Sequence, residues 1–226
     1  EFFNFMSIKK LFTSFIAFFI ISVYFTQVIP SRTVLVKDST IAQKTISLNN
    51  RYGNTYVNDI FKKNILLTLA YMDGRVRKNS DINWKKLGKP SRYKLTLQPG
   101  EVFAFHEYIL PAYKDKHILT TNAHFSAYEG FLSDGYLIGD GVCHLASLIK
   151  WAAIDAGLPV VTPTNHNFAY IPEIPKEYGV SIYTMPDQPA SSAQQNLYIE
   201  NTFNKPIIFV FNYTNGNLSL TISKPD

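Results

Sequence analysis

The sequence predicts an α+β fold in which a mostly antiparallel sheet packs against one central helix, residues 143–156. Short segments with alternating apolar residues lie on both sides of one longer segment with helical apolar spacing. The order along the chain is therefore strands, a helix and strands again, which is typical of α+β domains. The helical segment has a single apolar stripe, which gives it one face to bury against the sheet.

The composition of the 226-residue chain is that of a folded protein. Hydrophobic residues make up 46% and aromatic residues 15%, values that exclude intrinsic disorder for most of the chain. The net charge of +5 suits a polyanionic neighbourhood such as anionic lipid or a wall polymer, without selecting one. A single cysteine excludes an intramolecular disulfide framework and multi-cysteine zinc or iron–sulfur sites.

The N-terminal region explains why only 17% of the residues are charged. Lys9 and Lys10 precede residues 11–29, which carry no charge and are rich in Phe, Ile and Leu. That length approaches the ~20 residues that cross a bilayer, and the lysines favour a cytoplasmic N-terminus. Residues 6–30 are therefore predicted to anchor the protein in the membrane with the remaining chain on the extracytoplasmic face. A cleaved signal peptide is the alternative, although no Ala-x-Ala site precedes Ser31.

Residues 31–92 are predicted to be a linker with one or two short strands and an amphipathic helix at 59–72. The helix is expected to end at Asp73 and Gly74. Residues 75–92 are basic, and we interpret their charges as a solvated loop because no nucleic-acid-binding motif accompanies them. No nucleic-acid partner is therefore predicted.

Residues 93–226 are predicted to form the main domain. Alternation and turn chemistry predict extended segments at 93–97, from 102 onward, at 125–137, from 168 onward and once or twice within 196–211. The central helix follows a Gly-Asp-Gly turn at 139–141 and is expected to stop at Gly157.

The sole cysteine is the candidate nucleophile. Cys143 falls in the first turn of the central helix, where unpaired N–H groups and the helix dipole favour a thiolate. Gly141 is expected to leave room for a substrate beside it. His166 precedes the next predicted strand, and a cysteine followed by such a histidine is the papain-like order for general-base activation. This interpretation predicts a pKa for Cys143 below that of a free thiol.

A small buried structural cysteine is the alternative. Helical projection argues against simple packing, because Cys143 falls opposite the stripe of Leu145 and Leu148. His144 can donate to an oxyanion, bind a metal or cap local backbone. Because no His-Glu-x-x-His pattern occurs, no metal is predicted, and the lack of a phosphate-binding loop predicts no nucleotide cofactor.

Several motifs in this order resemble the VanW family, which is named after an accessory gene of vancomycin-resistance clusters. The likeness begins with Leu-Gln-Pro-Gly-Glu-Val-Phe-Ala-Phe at 97–105 and continues at 139–148, 152–158, 165–167 and 198–207. It covers about residues 93–211. The resemblance implies a cell-envelope protein linked to glycopeptide resistance, with a cell-wall polymer or peptide as its partner.

Three positions depart from the family pattern. Asp140 replaces a glycine, His144 stands where the family usually has Gln, and Ser181 stands where an acidic residue is usual. If that acid orients the histidine, another side chain must replace it here, and the candidates are Asn165, Asn167 and Asp187.

The leading hypothesis is a cysteine-dependent amidase, peptidase or transpeptidase acting on peptidoglycan or its peptide stems. Cys143 would be the nucleophile, His166 the base, and His144 with backbone N–H groups would stabilise the oxyanion. Gly141, Asn167 and Ser181 would support them. The alternative hypothesis, favoured by Ser181, is a non-catalytic envelope-binding or scaffolding module.

Overall fold

The longest strands of the chain lie in one four-stranded antiparallel sheet. The computed structural model describes residues 38–136 and 139–226. The strand order of this first sheet is β1 (Asp38–Ser47), β8 (Asn217–Pro225), β7 (Ile207–Thr214) and β2 (Ser91–Leu97). The N-terminal strand thus pairs with the C-terminal one, so the sheet joins the two ends of the described chain.

A second sheet is built from short strands. Its order is β4 (Ile118–Leu119), β3 (Val102–Ala104), β6 (Tyr198–Glu200) and β5 (Val160–Val161). Only β3 and β4 run parallel, and the other neighbours are antiparallel. The predicted α+β class with mostly antiparallel pairing is therefore confirmed.

Two long helices cover the first sheet. Helix α3 (Val142–Asp155) packs against β1, β8 and helix α1 (Thr55–Met72), and the apolar faces of these elements form the main core. The bounds of α3 confirm the predicted central helix to within one residue. Two shorter helices, α2 (Trp84–Leu87) and α4 (Pro189–Gln194), lie outside this layer.

Helix α1 begins earlier than its apolar pattern indicates. The side chain of Asn54 accepts hydrogen bonds from the Tyr56 and Val57 N–H groups and caps the helix, which begins at Thr55, four residues before the predicted start. Gly74, at φ +77°, follows its end as expected. Together with β1, α1 makes the described part of residues 31–92 an integral part of the same compact unit as the main domain.

Two predicted extended segments are wrong. Over residues 125–136 the backbone holds a 3₁₀ turn at Ala127–Glu129, and Phe125 has φ +58°, which no strand accommodates. The segment from Phe168 onward is a loop, in which Phe168 and Tyr170 are 75% and 81% exposed and Ile171 is buried. Aromatic residues raise strand propensity, but here they face outward.

The predicted membrane segment, residues 11–29, lies outside the described residues. Among the helices within residues 38–136 and 139–226, none is long and apolar enough to cross a bilayer.

Candidate functional site

The turn before α3 is fixed by contact with the backbone of α1. Gly141, the N-cap of α3, has φ +97°, and a Cβ there would lie 2.7 Å from the carbonyl oxygen of Phe61. The predicted space for a substrate at Gly141 is therefore occupied by α1. The buried Asn64 of α1 also donates to the carbonyl oxygens of Leu132 and Asp140, at 3.0 and 2.8 Å. A helix from the predicted linker thus positions the candidate nucleophile.

Cys143 is the second residue of α3, and its thiol is hydrogen-bonded to the main chain of Ile182. The Ile182 N–H donates to Sγ at 3.4 Å, and the thiol donates to the Ile182 carbonyl oxygen at 3.6 Å. In the described part of the chain, no hydrogen bond joins Sγ to either neighbouring histidine. The cysteine therefore docks the segment around Ile182 onto the start of α3.

Ser147 repeats this contact one helical turn later. Its hydroxyl donates to the Cys143 carbonyl oxygen at 2.7 Å and accepts from the Val180 N–H at 2.9 Å. Four helical residues rise about 6 Å and two extended residues about 6.6 Å, so the two spacings match. This match explains why Cys143 and Ser147 can hold Ile182 and Val180 simultaneously.

The environment of Cys143 disfavours a thiolate. Burial raises the pKa of the Cys143 thiol to about 11, with the hydrogen bond from Ile182 opposing the rise and the Asp140 charge adding to it. The direction is opposite to the lowered pKa expected from the helix dipole. The dipole acts over the first turn, but removing the sulfur from water outweighs it here.

The two histidines lie edge to face with their ring centroids 6.3 Å apart. His166 is buried, and its Nδ1 lies 3.3 Å from the carbonyl oxygen of Ala169. Since that oxygen can only accept, Nδ1 carries the proton and Nε2 is left as an acceptor. Burial lowers the pKa of His166, so the ring is neutral at pH 7.

His144 is also buried and neutral. Burial first, then the nearby Arg51 charge and His166, lower its pKa to about 3. Its ring packs edge-on against Phe61, with centroids 5.1 Å apart. No described residue hydrogen-bonds its Nδ1, which is fully enclosed.

Among the described residues, no side chain that could replace the missing acid hydrogen-bonds the His166 ring. Ser181 donates to the Gln195 side-chain oxygen at 3.2 Å, and Asn165, Asn167 and Asp187 are exposed. A backbone carbonyl, that of Ala169, orients the histidine instead. A carbonyl fixes the tautomer as a carboxylate would, but it supplies no full charge to stabilise an imidazolium.

Arg51 is the site residue that sequence reasoning missed. It is 1% exposed, and it donates from Nε to the Ser47 carbonyl, from Nη1 to the Pro172 carbonyl and from Nη2 to Glu173. Burial lowers its pKa, and the Glu173 charge opposes this. An arginine in a polar segment gives no sequence signal, because its carboxylate partner lies 122 residues further along the chain.

These groups surround a cavity of about 210 Å³ that we call the inner cavity. A second cavity of about 480 Å³, the outer cavity, adjoins it. The residues that line both are His166, Phe168, Ala169 and Tyr170, so the loop that carries them separates the two. The inner cavity is further lined by Arg51, Tyr52, Phe61, Gly139, Asp140, Gly141, Val142, Cys143, His144, Ile182 and Tyr183. We refer to both cavities together as the cleft.

The cleft brings Cys143, His144, His166 and Gly141 together as the sequence predicts. Asn167 lines only the outer cavity, and Ser181 lines neither. Within residues 38–136 and 139–226, no cluster of three His, Cys, Asp or Glu side chains is placed to hold a metal ion.

Comparison with known proteins identifies one family. The model described as "VanW like protein" matches residues 87–223, more than half of the chain. No curated protein and no solved structure matches the sequence. The matched residues include α3, the loop at 166–176 and Ile182, whereas Arg51 and α1 precede them.

Proposed function

Because the chain belongs to the VanW-like protein family, we propose that it is an envelope protein whose cleft binds cell-wall polymer or peptide without cleaving it. The observation that carries this proposal is the state of the only cysteine. Its thiol is engaged twice by Ile182, and its pKa is raised to about 11. At pH 7 such a thiol provides almost no nucleophilic thiolate.

The aromatic lining supports a binding role. Phe168 and Tyr170 are strongly exposed on the wall that the two cavities share, and Tyr52 and Tyr183 line the inner cavity with partly free rings. A large apolar surface that stays exposed to water in the folded protein often indicates a binding site. Flat rings of this kind can cover a sugar ring or a peptide side chain.

A cysteine-dependent amidase, peptidase or transpeptidase is the second candidate function. Cys143 lies in the first turn of α3, and His166, with Nε2 available to accept a proton, lines the same cavity. For this activity the thiol would have to leave Ile182, and His166 would have to approach it. Because the thiol is hydrogen-bonded to Ile182 and not to His166, the structure favours the binding module.

Membrane anchoring on the extracytoplasmic face completes the proposal. Its support is the sequence of residues 6–30, where two lysines precede an uncharged apolar run of bilayer-spanning length. Deletion of residues 6–30 should release the protein into the soluble fraction. Recovery of the full chain from the cytoplasmic soluble fraction would contradict this part of the proposal.

The binding role is tested by incubating the full chain, solubilised in detergent, with purified peptidoglycan. Phe168→Ala and Tyr170→Ala should lower the bound fraction without lowering the melting temperature, because both rings are exposed. Tyr128→Ala is the matched control, since Tyr128 is 94% exposed and lines neither cavity.

The same incubation distinguishes the two candidate functions. The binding module predicts that no peptidoglycan fragments are released and that Cys143→Ala still binds. Release of fragments by the native chain but not by Cys143→Ala would establish the hydrolase instead.

A further inference from the structure

We propose that the inner cavity is a recognition site for a secondary amide group. It would donate a hydrogen bond to the amide carbonyl oxygen from His144 and accept one from the amide N–H at His166. This inference rests on the proposed binding function for the location of the ligand. It goes beyond that function by naming the chemical group that the cleft selects.

Arg51 supplies a fixed positive charge beside the inner cavity. Its three hydrogen bonds reach Ser47, Pro172 and Glu173, and its side chain is fully enclosed by the protein. The guanidinium therefore does not face a ligand directly, but its charge opposes protonation of His144 and helps to keep that ring neutral.

His144 supplies the donor. Its neutral ring carries one proton, and Nδ1 is enclosed without an acceptor. An N–H enclosed without a partner is rarer and costlier than an enclosed lone pair, so the proton belongs on Nε2. Nε2, unlike Nδ1, is not among the enclosed atoms without a partner. The ring therefore lines the cavity with a donor whose partner no described residue provides.

His166 supplies the acceptor. Its Nδ1 donates to the Ala169 carbonyl oxygen, which leaves an unprotonated Nε2 on a ring that lines the same cavity. The cavity thus combines one donor with one acceptor.

The charges at the cavity select a neutral ligand group. Arg51 is paired with Glu173, both imidazoles are neutral, and the Asp140 carboxylate accepts from the Asp134 N–H at 2.9 Å. An anion would face Asp140, and a cation would face Arg51. A secondary amide is neutral, accepts at its oxygen and donates at its nitrogen, and therefore matches both imidazoles.

The size of the cavity limits what enters it. At about 210 Å³, it is smaller than the ~300 Å³ at which sites for drug-sized ligands begin, so one amide-bearing group fills it. That amide can belong to an N-acetylated sugar or to a peptide. The exposed rings of Phe168 and Tyr170 would pack against the remainder of either ligand.

The test titrates the full chain in detergent micelles with two pairs of probes. N-acetylglucosamine is compared with glucose, and N-methylacetamide with methyl acetate, so that in each pair only one probe has a secondary amide, while imidazole ¹⁵N shifts report binding. At least one amide should bind about tenfold more tightly than its partner probe, because each lost hydrogen bond is worth about 1 kcal/mol. The pair that shows the difference identifies the source as sugar or peptide. Equal affinities within both pairs would overturn the proposal.

Variants locate the effect at His144. His144→Phe keeps the contact with Phe61 but removes the donor, and should weaken amide binding about fivefold to tenfold. His144→Gln, whose amide nitrogen reaches about as far as Nε2, should retain most of the affinity. His117→Phe changes an exposed histidine outside the cleft and should change nothing. Unchanged amide binding in a folded His144→Phe would overturn the proposal, and if that variant fails to fold, the probe pairs decide alone.

Failure of this inference is distinguishable from failure of the proposed function. If peptidoglycan binds but amide probes do not discriminate, the inference is wrong and the binding function stands. If amide probes discriminate but peptidoglycan does not bind, the envelope role is wrong and the amide site stands.

Discussion

The thiol of Cys143 and the main chain of Ile182 exchange two hydrogen bonds, at 3.4 and 3.6 Å. This contact accounts for the position of Cys143 away from the apolar stripe of α3. The residue lies partly buried at the margin of the core and lines the inner cavity, but its thiol is held by Ile182. With Ser147 one turn later, it fastens an extended segment to the start of the helix.

Loss of the Ser147 hydroxyl should loosen this segment. Ser147→Ala leaves the buried Val180 N–H without its acceptor, so we expect a loss of about 1–3 kcal/mol in the free energy of unfolding. Hydrogen exchange should accelerate at the Val180 amide in particular. Ser219→Ala, at an exposed serine paired with Thr45, is the control and should cost no more than about 0.5 kcal/mol. Unchanged exchange at Val180 would contradict the docking role.

Gly141 should tolerate no side chain. In Gly141→Ala the new Cβ would meet the Phe61 backbone at 2.7 Å while φ stays at +97°, so we expect a loss of about 3 kcal/mol or more in unfolding experiments. Gly157→Ala is the matched control, with φ +74° but open space around the Cβ, and should cost only about 1–2 kcal/mol. Equal losses of unfolding free energy in the two variants would show that α1 does not restrict the space at Gly141.

Protonation of the buried His144 should destabilise the fold in acid. Its pKa in the folded protein is about 3, below the ordinary 6.5, so the unfolded chain binds more protons between these values. Stability from this group is therefore complete above about pH 6.5 and is lost as the pH falls towards 3.

The effect can be isolated by comparing variants. His144→Phe should gain about 3 kcal/mol in unfolding free energy relative to the native chain between pH 7.5 and 4.5. Ile154→Ala, which truncates a partly exposed apolar side chain outside the cleft and removes no titrating group, should show a constant difference from the native chain. A constant difference for His144→Phe as well would mean that the imidazole is accessible to protons in the folded protein.

Local signals were enough to predict the framework. The apolar stripe and Gly157 place α3, and the alternation of Tyr93, Leu95 and Leu97 places β2. In both cases the pattern reflects burial of one face, which depends on residues close together in sequence. The site residues Cys143, His144 and His166 can be predicted from the sequence for the same reason, since each lies next to a recognisable turn.

The rest of the site depends on contacts that sequence spacing does not reveal. The aromatic residues Phe168 and Tyr170 give the sequence a pattern that is typical of a strand. In the structure they belong to an exposed loop that lines the cleft. The helix dipole at Cys143 can be read from the sequence, whereas the desolvation imposed beside Ile182 cannot. Arg51 and Glu173 form an ion pair although 122 residues separate them in the sequence. Neither residue alone therefore indicates that the pair exists.

The account depends most on the state of the Cys143 thiol, and the pH dependence of its alkylation by iodoacetamide in the native full chain measures that state directly. With a pKa of about 11, we expect slow alkylation at pH 6–8 and no inflection below about pH 10. The denatured chain, titrated in parallel, should show the inflection of a free thiol near pH ~8.5. An inflection below that value in the native protein would mean that Cys143 is an activated nucleophile, and the binding-module account would be contradicted.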